Sequence, residues 1–229
     1  MHRSWRGHKL PISRPSFSFS TKCHFVMAGW KRKVISHHEA GHAVVARMLG
    51  IGVVHASSRS GAQALTQSAA WQSKGADTAS QNAAYENDAI VALAGLAAQR
   101  RYQGTEGRYS DSLRDDDDDI QNARAAIYRA VCLRTGHPVA AESGMVTMLP
   151  ETWVAMTERF DHLQAESRRL VAMYWPAIQR VAKALEWHDR IDQAELDRLI
   201  AVASGRQYGH TADTKSRLKR SLDRSTITC

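Results

Sequence analysis

No apolar run in this chain is long enough to cross a bilayer, which takes about 18–20 residues. Ala89–Ala98 is the longest, and it is too short. Cysteine is scarce: Cys23, Cys132 and Cys229 lie far apart, with no C-x-x-C. That excludes a disulfide framework and a thiolate zinc site, and it points to a reducing, cytoplasmic setting. There is no G-x-x-x-x-G-K-[ST] phosphate loop, so no P-loop ATPase motif is expected here. The N-terminal stretch has no apolar core of a secretory signal, and no internal repeat is visible.

Acid is absent from residues 1–36, which hold eight Lys/Arg. Residues 206–229 hold six Lys/Arg and two Asp, a net +4. Of the total charge of +8, the ends therefore carry more than all, and the body between them is net −4. The basic character is a property of the tails. It does not argue for a nucleic-acid-binding body, and nucleic acid is not an expected partner. The expected organisation is a disordered basic segment over 1–33, one folded domain over 34–203 and a disordered basic tail over 204–229. The first segment is Arg- and Ser-rich, as organelle-targeting segments are. The simpler expectation is translation starting at Met27, just before the first helix.

What is present centres on His38-Glu39-Ala40-Gly41-His42. On a helix, residues four apart share a face, so two imidazoles can meet at one point. Zinc suits such a pair, with bonds of roughly 2.0–2.1 Å. Glu39 can then serve as general base toward a water at the metal. With 11 His in 229 residues, the pattern arises by chance in roughly one such chain in fifty. A local alternative stays open: Ser36-His37-His38-Glu39 fits a capping box, which would make Glu39 a helix starter.

The surroundings ISHHEAGHAVVARMLGIGVVHAS resemble the peptidase domain of the FtsH-type ATP-dependent zinc proteases (the M41 peptidase family). Asp88–Arg100 resembles a second segment of that family, with Gln99 and Arg100 where an acidic pair is usual. Asp115–Asp119 followed by Ile120-Gln121-Asn122-Ala123 resembles a third, which in the family carries the last metal ligand. The resemblance implies a mainly α, helical metallopeptidase domain with a small β element after the HEAGH helix. It implies Zn²⁺ held by His38, His42 and Asp119, with Asp118 and Asp115 as the alternatives for the third place. It implies Glu39 as the catalytic base of a zinc metalloendopeptidase acting on protein or peptide substrates. The family's motor is not in this sequence, so a separate AAA+ ATPase would be the partner for any unfolding, and an oligomer is compatible with it. The alternative is an inactive M41-like binding or adaptor module.

Periodicity predicts a strand at Val53–Ala56, a loop over 57–80 and helices over 83–103 and from the Asp run to Gly136. A further helix opens at Pro150, breaks near Pro176 and resumes, and a last one starts at Asp192. With the first helix at its own N-terminus, His38 would feel the dipole that keeps an imidazole neutral. His55, His137, His162 and His188 are expected at the surface or in caps.

Overall fold

The computed structural model describes residues 21–58, 64–66, 77–106, 117–136 and 150–203; for 21–30 and 64–66 it gives the backbone path alone. Six helices and three strands occur among them. Helix α1 spans Thr21–Met48, β1 Val53–Ser57 and β2 Ala64–Thr66. Helices α2 and α3 span Thr78–Gln103 and Asp118–Thr135. Helices α4 and α5 span Pro150–Met173 and Trp175–Trp187, and β3 (Arg190–Asp192) leads into α6 (Gln193–Ala203). The protein is mainly α with a small antiparallel sheet, as the sequence leads one to expect.

Helix α1 is the hub. Its residues Ala40, Ala43, Val44, Val45 and Ala46 are fully buried. This follows from small and β-branched side chains on several faces, which let neighbours approach from more than one side. Helix α2 lies against it, with Gly41 at the contact. A Cβ there would stand 2.6 Å from the carbonyl oxygen of Ala94 and 2.7 Å from the Cβ of Ala98. Ile120, Ile127 and Val131 of α3, and Met156, Phe160 and Leu163 of α4, complete the same core.

Local chemistry explains the boundaries. Asp77 caps α2 by accepting from the Ser80 amide at 2.8 Å, and Gly104 ends it in the left-handed conformation at φ 65°. Asp117 caps α3, and Gly136 closes it at φ 70°. Pro176 sits in the first turn of α5, where its missing N–H costs nothing, and so restarts the helix after Met173.

Several expectations are corrected. Helix α1 begins at Thr21, so residues 21–33 are helical and Ser36 lies well inside the helix. That removes the capping box, and it removes the helix-terminus explanation of a neutral His38. The stretch 57–80 contains β2, which pairs with β1 across a register shift between Val53 and His55, and the next helix starts within it at Thr78. Strand β3 pairs with the other side of β1, with His55 opposite Asp192 and Ala56 opposite Ile191. Asp192 precedes the last helix and accepts from the Glu195 amide at 2.9 Å. The segments 1–20 and 204–229 lie outside the described residues.

Candidate metal centre

Two helices meet to form the site. In the C-terminal half of α1, His38 and His42 stand one turn apart, and their Nε2 atoms are 3.1 Å from each other. From the first turn of α3, Asp119 brings Oδ2 to 3.0 Å from His38 Nε2 and 3.2 Å from His42 Nε2. Asp117 makes this placement: its carboxylate accepts from the Asp119 amide at 3.0 Å, fixing the first turn. The acidic run thus divides its work. Asp117 caps, Asp118 faces solvent and Asp119 turns inward. Asp115 lies outside the described residues.

The three donor atoms form a nearly equilateral triangle. Donors sharing a tetrahedral zinc at roughly 2.0–2.1 Å stand about 3.3 Å apart. The triangle is of that size, so the group His38, His42 and Asp119 could hold a metal ion. Asp119 Oδ2 is buried, yet neither imidazole is aligned to it as a hydrogen-bond donor. Three donor atoms converge on one point, and a shared cation there would engage all three.

Each imidazole is anchored at its other nitrogen. His42 Nδ1–H donates to the backbone carbonyl of Val91 at 2.7 Å, and His38 Nδ1–H donates to Gln99 Oε1 at 3.1 Å. With the proton on Nδ1, the Nε2 lone pair of each ring is directed at the common point. Gly95 lies midway along α2 between these two anchors, and a Cβ there would run into the Nε2 atoms of both histidines. Only a residue without a side chain leaves that space open. Val91, Gly95 and Gln99 are four residues apart, so they form one stripe of α2 facing His38 and His42.

The electrostatics match. Without metal, burial disfavours the His42 imidazolium, but the Asp119 carboxylate outweighs it, helped by Glu39 and the Val91 carbonyl. The pKa rises to about 9. Burial works against the Asp119 carboxylate too, yet both histidines overcome it and hold its pKa well below the usual carboxylate range. Such a pair stores a proton that a metal ion would displace.

Glu39 is 5% exposed and contributes to the field at His42. His37, by contrast, turns away: its ring stacks on Tyr102 with centroids 3.9 Å apart, and Nδ1–H donates to the Lys33 carbonyl. Burial pushes its pKa down. His162 and His188 are exposed, as expected, and His55 is half-buried in β1. None of the three joins the metal group among the described residues, and His137 lies outside them. Sequence reasoning named the three residues that the structure brings together, His38, His42 and Asp119, but missed the anchoring ones. Gln99 stood out only as a departure from an acidic pair, whereas its four-residue spacing from Gly95 was the usable signal.

No protein-family model matches this chain, and no curated protein matches it. Among the described residues, no helix is long and apolar enough to cross a membrane.

Proposed function

We propose that this chain is a zinc-dependent metalloendopeptidase of the FtsH type, acting on protein or peptide substrates. One observation carries the proposal: two imidazole Nε2 atoms and a carboxylate oxygen converge within 3.2 Å, with Glu39 next to the first ligand on the same helix. Two His and one carboxylate are a ligand set that catalytic zinc uses, leaving a position open. Bound zinc would polarise a scissile carbonyl and lower the pKa of a water to about 7.

The chain's own residues do the rest. Val91 and Gln99 hold the imidazoles in the ligating tautomer. Asp119 contributes one negative charge, which lowers the cost of bringing a dication into a buried site. Glu39, on the helix between the two ligands, takes a proton from the attacking water and delivers it to the leaving amine. The exchange of an acidic pair for Gln99 and Arg100 does not empty the site, because Gln99 still accepts from His38.

The test is direct. Purified protein should carry about one zinc per chain and cleave casein or an unfolded peptide, while Glu39→Gln keeps the zinc and loses at least about 100-fold in rate. Zinc at full occupancy with no cleavage of any unfolded substrate would overturn the peptidase proposal and leave a metal-binding adaptor.

A further inference from the structure

We infer that Gln99 is a positioning residue that sets how tightly this site holds its metal. The inference rests on the zinc site proposed above and goes beyond it to a residue outside the ligand set. Gln99 Oε1 accepts from His38 Nδ1 at 3.1 Å across the α1–α2 contact. The equivalent acceptor for His42 is the Val91 carbonyl, at 2.7 Å. Both ligands are therefore oriented by uncharged oxygens, one from backbone and one from a side chain.

The distinction matters because orientation and polarisation are separable. Any acceptor at Nδ1 fixes the ring and leaves Nε2 as the donor to metal. A carboxylate acceptor also pulls on the Nδ1 proton and makes Nε2 more basic. An amide oxygen orients the ring with less of that pull. Gln99 thus aims His38 while leaving it a weaker donor than a carboxylate would, so the bound ion is held less tightly and stays more electrophilic. The Val91 anchor is backbone and cannot be altered by substitution. Of the two anchors, Gln99 is the one that substitution can change.

Metal affinity, measured by competition between metal-free protein and a chromophoric zinc chelator, tests this without reference to catalysis. Gln99→Met keeps the length and volume but cannot accept, and it should bind zinc about 10–100-fold more weakly. Gln99→Glu keeps the acceptor and adds charge, and it should bind up to about tenfold more tightly than wild type. A purely structural role for Gln99 would weaken both variants alike. Gln99→Met within about twofold of wild type, or Gln99→Glu no tighter than wild type, overturns the inference. Wild-type protein that takes up no zinc overturns the underlying site instead. If His38→Ala abolishes binding while Gln99→Met leaves it unchanged, the site stands and only the role of Gln99 falls.

Discussion

At the scale of the residue, the proposed site sets a proton against a metal. Raising the His42 pKa to about 9 from 6.5 means the metal-free protein gains stability from the His42–Asp119 pair. That gain is fully present below about pH 6.5 and is lost as pH rises through about 9. The depressed Asp119 carboxyl acts at the other end, contributing fully above the ordinary carboxylate range and losing that contribution as pH falls below it toward the lowered pKa. The metal-free protein should therefore melt at its highest temperature between about pH 4 and 6.5, as scanning calorimetry across pH would show. Zinc binding must follow the opposite trend. Each zinc bound at the proposed site would displace the His42 proton, so apparent affinity should rise about tenfold per pH unit toward pH 9. A pH-independent affinity would mean that His42 is not a ligand. Gly95 gives a second residue-scale expectation. Gly95→Ala favours the helix by about 1 kcal/mol yet puts a carbon against both His Nε2 atoms. Zinc content by elemental analysis should fall well below one per chain with helix content by circular dichroism unchanged, and a fully loaded variant would refute the role given to Gly95.

At the scale of the element, α1 and α2 work as a pair because small residues let them touch. Gly41→Ala sets two effects against each other. Better helix propensity contributes about 1 kcal/mol, whereas forcing a Cβ to 2.6 Å from the Ala94 carbonyl costs about 1–3 kcal/mol or more. The close atom is backbone and cannot swing aside, so the cost wins and urea unfolding should show a net loss of about 2 kcal/mol. A stabilised Gly41→Ala would mean the helices stand further apart. The small residues were legible in the sequence, as were the helix boundaries at Gly104, Gly136 and Pro176, which act locally, whereas the Asp77 cap of α2 was read as loop. The ligand pair His38 and His42 was legible for the same reason: four-residue spacing is a property of one helix. Asp119 was reachable only by resemblance, since nothing local brings α3 to α1. The start of α1 at Thr21 and the strands β2 and β3 were not legible. Three-residue strands have almost no period, and they exist because β1 offers two open edges. The anchors Val91 and Gln99 depend on how two helices cross, which no single-segment pattern encodes.

At the scale of the whole molecule, the proposed metal would be a cross-link. His38 and His42 lie on α1 and Asp119 on α3, and α2 is packed between them as the source of both anchors. Other ties spread the load outward: Arg47 pairs in two-pronged fashion with Asp197 of α6 at 2.7 and 3.0 Å, and Arg159 of α4 pairs with Glu86 of α2. None of these joins α1 to α3. A ligand that binds only the folded state stabilises it by mass action, about 4 kcal/mol at a thousandfold excess over Kd. For a domain of this size, each kcal/mol moves the melting point by roughly 2–4 °C. Saturating zinc should therefore raise it by roughly 8–16 °C, and a chelator should reverse the gain. Asp119→Ala breaks the link at its α3 end while leaving both histidines on α1. Zinc held by the histidine pair alone would no longer join two helices, so the zinc-dependent rise in melting temperature should shrink to a few degrees or vanish. The comparison is made between melting points with and without zinc for each protein, which cancels any effect of the substitution on the metal-free fold. An undiminished rise in Asp119→Ala would remove Asp119 from the ligand set, and with it the bridge between the two helices.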